Sequence, residues 1–146
     1  MIRKLTADDR ELYISMAEEF YHSDAVLSPV PRSYIEKTVD EALHSDAYAE
    51  LFLFEHKGEI AGYGLTAKTF SQEAGGFVLW IEEIYIREPF RSKGLGREFF
   101  AYIEDHKGEN VTRLRLEVEE DNTRAVALYK KLGYKVLDYV QMVKEN

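Results

Sequence analysis

The sequence predicts a mixed α/β (α+β) domain with a mostly antiparallel central sheet flanked by about four helices. Three observations carry this prediction. Helical and strand periodicities follow the order β-α-α-β-β-β-α-β-α-β along the chain. Glycine-containing turns join the middle strands, as in antiparallel hairpins, whereas a helix separates the later strands. The 146 residues have no internal repeat or long linker, so we expect a single domain over residues 1–146.

The first third of the chain predicts one strand and two helices. Residues 2–6 are typical of a short strand, and Thr6 is the expected N-cap of a helix over residues 7–21, whose first turn is acidic. Two prolines in residues 22–32 predict a loop, which a second helix follows over residues 33–44. The side chains expected on the buried helix faces are Leu12, Ile14, Met16, Phe20, Tyr34, Val39 and Leu43.

The middle of the chain predicts three consecutive strands. They cover residues 51–54, 60–70 and 77–86, with turns at residues 56–58 and 71–76. Two glycines inside the second of them, Gly62 and Gly64, indicate a bulge or a close backbone contact. These strands should therefore form two hairpins, with a bulge or a close backbone contact at the two glycines.

The last third predicts two further strands, each preceded by a helix. Residues 97–107 have helical spacing, and residues 113–119 alternate between apolar and charged side chains. A helix over residues 122–132 should end at Gly133. A final long strand is expected over residues 134–143, bent near Asp138.

Composition excludes several classes of function. The net charge of −8 argues against a nucleic-acid binder, which needs a basic surface, and slightly favours a cationic small substrate. There is no cysteine, and the four histidines lie in separate segments without ligand spacing, so no metal site is expected. The sequence contains no signal peptide and no membrane span, so a cytoplasmic location is the default expectation.

A basic glycine turn follows the predicted strand at residues 81–86. The turn, at residues 91–96, opens onto a helix, so backbone N–H groups and the positive end of the helix dipole meet at one place. A phosphate or pyrophosphate suits such a place. The nucleotide-hydrolase motif G-x-x-x-x-G-K-[ST] is absent, and Phe99 occupies the third glycine position of the dinucleotide motif G-x-G-x-x-G. The pattern that remains is R-x-x-G-x-G.

This pattern resembles the acetyl-CoA loop of the GNAT superfamily of N-acetyltransferases, [RQ]-x-x-G-x-[GA]. A second stretch, residues 122–134, is similar to the GNAT signature N-x-x-A-x-x-[LF]-Y-x-[KR]-x-G-[FY] at every defining position. The predicted order of elements matches the family over essentially the whole chain. One departure is the C-terminus, where many members have two strands and only about a dozen residues follow Gly133.

The resemblance implies acetyl-CoA as the co-substrate, without a metal. Its pantetheine arm would lie along the central strand, and its pyrophosphate on the glycine turn. The residues implied in its binding are Ile84, Tyr85, Ile86, Arg91, Ser92, Lys93, Gly94, Leu95, Gly96, Asn122, Ala125 and Tyr129.

The resemblance also implies catalytic roles. Tyr129 would protonate the departing CoA thiolate, and one residue of the acidic pair would accept the proton of the amine. We favour Glu82 as that base over Glu83, because adjacent residues of a strand point to opposite faces and relatives with this string use the first. The alternative is that both carboxylates lie on the sheet surface. The acceptor pocket would be lined by Glu83, Tyr21, Tyr34 and Trp80, with His22 as a further candidate.

The resemblance implies an enzyme that transfers acetyl from acetyl-CoA to a primary amine by direct attack. A small cationic amine is the first choice of acceptor. A protein lysine or N-terminal amine is the alternative within the enzyme class, and a non-catalytic CoA-binding sensor is the alternative outside it. The partners expected are acetyl-CoA and the amine, with no nucleic acid and no membrane. A homodimer is a further possibility.

Overall fold

The protein is described by a computed structural model that covers residues 1–146. The chain divides into two compact units, residues 1–116 and residues 117–146. No helix in either unit combines the length and hydropathy needed to cross a bilayer.

The first unit is a five-stranded sheet with helices. Its elements in chain order are β1 (Ile2–Lys4), α1 (Arg10–Tyr21), α2 (Arg32–His44), β2 (Ala49–His56), β3 (Glu59–Ser71), β4 (Gly76–Ile86), α3 (Leu95–His106) and β5 (Val111–Leu116). The strands lie in the order β1-β2-β3-β4-β5; the first three neighbouring pairs are antiparallel, and β4 and β5 are parallel. The predicted mixed, mostly antiparallel sheet is confirmed.

Alternating residues of the sheet serve two separate cores. Leu51 and Leu53 of β2 belong to a buried cluster with side chains of α1 and α2. Phe52 and Phe54, which alternate with them, contact Phe99 of α3 with ring centroids 5.6 and 5.0 Å apart. The helices α1 and α2 therefore cover one face of the sheet, and α3 covers the other.

The buried faces of the first two helices are turned slightly from their predicted positions. Ile14, Met16 and Val39 are buried as expected, but Leu12 and Phe20 are only half-buried. The prediction for Tyr34 was wrong, because this side chain is 56% exposed and its neighbour Ile35 packs inward instead. A helix fixes one buried stripe, and a choice between adjacent apolar residues depends on the surface that receives them.

Two glycine features of β2 and β3 are confirmed. Lys57 and Gly58 both have positive φ, 50° and 81°, which is the geometry of a two-residue type I′ hairpin turn. At Gly62, a Cβ would lie 2.1 Å from the carbonyl oxygen of Tyr85, and at Gly64 it would lie 2.5 Å from Cζ of Phe99. These are the close contacts that the two glycines indicated.

Gly64→Ala is expected to destabilise the fold, because the added methyl meets a ring that is fully buried. Overpacking of this kind costs about 1–3 kcal/mol and should appear as a lower midpoint of urea unfolding. Gly96→Ala is the control, because its Cβ would meet only Cδ1 of Ile86, at 3.9 Å. Equal midpoints for the two variants would show that the Phe99 ring moves aside freely.

The second unit contains one helix, α4 (Thr123–Lys131), and an irregular tail. The strand predicted over residues 134–143 is wrong: residues 132–146 form neither helix nor strand. Val140 is 92% exposed and Met142 94% exposed, although the segment is rich in strand-forming residues. Strand propensity reflects packing on a paired, half-buried surface, and it does not create a strand in a segment that forms no ladder.

Candidate active site

β4 separates from β5 about halfway along its length. The two strands are paired from Phe77 to Ile81, where Ile81 lies opposite Leu116. β4 then continues to Ile86 with β3 as its only partner. On the side of β5, the backbone groups of residues 82–86 thus lack a strand partner, and an extended ligand can bond to them as an added strand would.

A β-bulge interrupts β4 at the acidic pair. Leu65 of β3 lies opposite Glu83 and Thr66 lies opposite Ile81, so Glu82 is an extra residue in the ladder. The sequence predicts that the two carboxylates point to opposite faces because adjacent residues of a regular strand do so. At the bulge the strand is not regular, and this alternation does not apply. In the structure Glu82 is exposed and Glu83 is half-buried.

Two tyrosines hold the carboxylate of Glu83. The phenol of Tyr21, at the end of α1, donates to Oε1, and the phenol of Tyr63, on β3, donates to Oε2 at 2.7 Å. Tyr13 packs edge-on against Tyr63 with ring centroids 5.0 Å apart. Burial raises the pKa of Glu83, while the two phenol hydrogen bonds act to lower that pKa. The sequence prediction named Glu83 and Tyr21 but missed Tyr63.

Tyr63 was missed because the strand register brings it into the site. Tyr63 lies directly opposite Tyr85, and Leu65, two residues further along β3, lies opposite Glu83. The side chains of Tyr63, Tyr85 and Glu83 therefore share one face of the sheet. In the sequence it is one aromatic residue between two glycines. Only the pairing of β3 with β4 would have connected it to Glu83.

The other predicted acceptor residues lie in different surroundings. Trp80 is half-buried on β4, with the guanidinium of Arg115 over its ring at 4.1 Å. Tyr34 is on the exposed side of α2, and Lys37 lies 5.8 Å from its ring centroid. The structure thus joins Tyr21 and Glu83 by a hydrogen bond, whereas Tyr34 makes no hydrogen bond or ring interaction with either.

The glycine turn leads directly into α3. Gly94 is the N-cap and has φ of 79°, which a glycine adopts without strain. The first bond of the helix runs from the N–H of Glu98 to the carbonyl of Gly94, at 3.0 Å. The N–H groups of Leu95, Gly96 and Arg97 precede that bond and have no acceptor within the helix. Free N–H groups at the start of a helix are the arrangement from which the sequence predicts an anion site.

Basic residues lie in and directly after this turn. Arg91 and Lys93 are exposed in the turn, as is Arg97 in the first turn of α3, which the sequence prediction did not name. Nε of Arg91 donates to the carbonyl of Ile86 at 3.0 Å, so this arginine also fixes the turn to the end of β4. A Cβ at Gly94 would have no atom within 4 Å, which leaves the approach to the turn open.

The second predicted signature lies in the unit of residues 117–146. The side chain of Asn122 caps α4 by accepting from the N–H of Ala125 at 3.3 Å. Tyr129 is half-buried on α4 with its ring 6.1 Å from that of Tyr134, and burial raises the pKa of its phenol. Gly133 has φ of 95° just beyond the helix, as a C-terminal glycine should.

Comparisons with known proteins agree with this architecture. The family model for the acetyltransferase (GNAT) family matches residues 11–134. The structure of AAC(6')-Iy in complex with the bisubstrate analogue CoA-S-monomethyl-acetylneamine has a TM-score of 0.81 and 15% identity, covering 100% of this chain and 97% of that one. At that identity the likeness concerns the fold alone.

Two relatives are similar to this chain over most of its length. The spermine/spermidine N(1)-acetyltransferase of Bacillus subtilis (strain 168) is 29% identical over 110 residues, covering 70% of this chain and 71% of the relative. The thialysine N-epsilon-acetyltransferase of Caenorhabditis elegans is 28% identical over 146 residues, covering 97% and 84%. Since the family model spans most of the sequence, the chain belongs to the acetyltransferase (GNAT) family and is an acetyl-CoA-dependent N-acetyltransferase.

Proposed function

We propose that the chain acetylates a primary amine of a small cationic metabolite. The observation that carries this proposal is the pair of carboxylates, Glu82 and Glu83, where β4 has lost β5 as a neighbour. Two anionic groups beside an open strand edge suit an acceptor with positive charge. The net charge of −8 and the names of the polyamine and thialysine relatives support the same class.

Acetyl-CoA fits the open part of β4 and the turn before α3. We place its pantetheine arm beside the backbone of residues 84–86, where one N–H can also polarise the thioester carbonyl. Its pyrophosphate would bind the N–H groups of Leu95, Gly96 and Arg97. The exposed Arg91 and Lys93 would add charge, and Ser92 and Gly94 complete the turn. Bound there, acetyl-CoA supplies the acetyl group as an activated thioester.

Glu82 is proposed to accept the proton of the acceptor ammonium, directly or through one water. The bulge makes Glu82 an extra residue of β4, and its side chain is exposed, so a cationic substrate can reach it. A carboxylate in reach of the substrate can take a proton from the amine as a general base.

Tyr129 is proposed to donate a proton to the departing thiolate. The phenol is protonated at neutral pH because burial raises a pKa that is ordinarily about 10. By resemblance, Asn122 and Ala125 line the cofactor on the same helix. Their local geometry, a capping amide and a small residue one turn before the phenol, leaves room for a ligand along α4.

The acceptor pocket is proposed to centre on Glu83 and Tyr21, with Trp80 at its edge. The first two are joined by a hydrogen bond. Trp80 precedes the acidic pair on the same strand, whereas Tyr34 is separated by its position on α2.

A panel of amines tests the function and separates it from its alternatives. Polyamines, free lysine analogues and lysine-containing peptides would be incubated with acetyl-CoA, and released thiol would be measured. We expect the highest kcat/KM for a small molecule with two or more cationic groups. Preference for peptides would favour a protein acetyltransferase, and acetyl-CoA binding without thiol release from any amine would favour a sensor.

Gly96→Glu is expected to weaken acetyl-CoA binding roughly tenfold to a hundredfold, because a carboxylate would face the pyrophosphate. Gly96 suits this test because its Cβ meets only Ile86, whereas Gly94 has φ of 79° and any side chain there would be strained. Gly96→Gln is the control for size without charge. Calorimetry giving equal Kd values for Gly96→Glu and the wild type would refute the placement of the pyrophosphate.

A further inference from the structure

The carboxylate of Glu83 has polar partners but no cationic one. It is half-buried, and its hydrogen bonds come from the phenols of Tyr21 and Tyr63. None of the ion pairs in the protein includes Glu83. A carboxylate removed from water is costly unless a cation and hydrogen bonds compensate it. Here the hydrogen bonds are present, and no cationic side chain pairs with the carboxylate.

The two phenol bonds match the ionised form of the carboxyl group. One phenol donates to each oxygen, and an ionised carboxylate accepts at both. A protonated carboxyl is a weaker acceptor than a carboxylate, so both phenol hydrogen bonds favour the ionised form. Each oxygen of the ionised group keeps a lone pair, so an incoming ammonium can bond without displacing either tyrosine.

The surrounding groups do not supply the missing cation. From α1, Tyr13 and Tyr21 face Glu83, and from β3 Tyr63 faces it. On β4, its flanking titratable neighbours are Glu82 and Tyr85. The basic residue two positions beyond Tyr85, Arg87, pairs with Glu19 at 3.3 Å, and Glu19 also accepts from the phenol of Tyr85 at 2.9 Å. Arg87 is therefore paired with Glu19 and not with Glu83.

We propose that Tyr63 and Tyr21 are positioning residues that hold the Glu83 carboxylate as the anionic receptor for the ammonium group of the acceptor. This inference rests on the proposed function, because it assumes a cationic amine. Tyr63 is fully buried, so it acts only through Glu83. Tyr21 is half-buried and is the last residue of α1.

The expected pH dependence follows from the direction in which the phenol hydrogen bonds shift the pKa of Glu83. Both act to lower the pKa of Glu83, against the opposing effect of burial. Removing one phenol therefore raises the pKa of Glu83, and the anionic receptor is lost as pH falls through a higher value than in the wild type. As pH falls, acceptor binding should therefore weaken at a higher pH in the variant than in the wild type and should recover as pH rises, whereas acetyl-CoA binding should not change.

Tyr63→Phe and Tyr21→Phe test the proposal with Tyr13→Phe as the matched control. Tyr13 is a buried phenol in contact with Tyr63 that donates no hydrogen bond to Glu83. We expect acceptor KM to rise about tenfold in the first two variants on the acidic side of the Glu83 titration, with kcat and acetyl-CoA KM nearly constant. In Tyr13→Phe, acceptor KM should stay as in the wild type.

Carbon-13 NMR of the glutamate carboxyls supplies a readout without substrate or turnover. The Glu83 signal, assigned by its loss in Glu83→Gln, should titrate at higher pH in Tyr63→Phe than in the wild type. If Tyr63→Phe does not fold, Tyr21→Phe gives the same test at a less buried position. An unmoved Glu83 titration with unchanged acceptor KM would overturn the positioning role. A moved titration in a protein that acetylates no amine would instead overturn the proposed function, and with it the role of Glu83 as an ammonium receptor.

Discussion

Tyr129→Phe is expected to lower kcat by about 10²–10⁴, the usual contribution of a general acid. A CoA thiolate is expected to have a pKa near that of a cysteine thiol, about 8.5, and a nearby phenol can hand it a proton as the C–S bond breaks. The variant removes only the hydroxyl. Because burial raises the pKa of Tyr129, any alkaline limb that belongs to it should lie above the ordinary phenol value of about 10.

Binding and stability measurements separate this role from a structural one. The ring of residue 129 should remain packed against Tyr134, so the free energy of unfolding should change little. The Kd of acetyl-CoA should also stay nearly constant, which is the pattern of an interaction made mainly in the transition state. If Tyr129→Phe keeps nearly full kcat on the true acceptor, water or the substrate supplies the proton and Tyr129 only lines the cofactor.

Glu82→Gln is expected to lower kcat by about 10²–10⁴ at neutral pH, because the acceptor amine is then mostly protonated and needs a base. The loss should shrink at high pH, where free amine is abundant. A full pH–rate profile of the variant and the wild type is the measurement. Parallel profiles would remove Glu82 from the base role.

Glu83→Gln is the matched variant, one residue along β4. It should raise acceptor KM and leave kcat less affected, because Glu83 is proposed to bind the substrate and Glu82 to take its proton. A large loss of kcat in Glu83→Gln alone would move the base role to Glu83. The two variants thus separate a role in proton transfer, which lowers kcat, from a role in substrate binding, which raises acceptor KM.

The parts of the fold that could be predicted depend on short-range patterns. Asn122 before a helix, Gly133 after it, and the Lys57–Gly58 turn are each dictated by local backbone chemistry, and the structure has all three. The strand expected over residues 134–143 has the right composition, but strand formation needs hydrogen bonds from another segment. That requirement is not visible in the segment itself.

The candidate site was predictable where its residues are close in sequence. The turn at residues 91–96 and the acidic pair at Glu82 and Glu83 stand out as motifs. The bulge at Glu82 and the bond from Tyr63 to Glu83 depend on how β3 pairs with β4. A one-residue shift in register changes which side chains share a face, and single-sequence patterns do not fix such a shift.

The contact between Gly64 and Phe99 has a consequence for how this sequence can change over evolution. Position 64 has room for a hydrogen only while a phenylalanine occupies position 99, since a Cβ would lie 2.5 Å from its Cζ. The two positions should therefore covary: a larger residue at 64 should be accepted only with a smaller one at 99. A double-mutant cycle of Gly64→Ala and Phe99→Leu should accordingly show favourable coupling, so that the second change recovers part of the stability lost in the first.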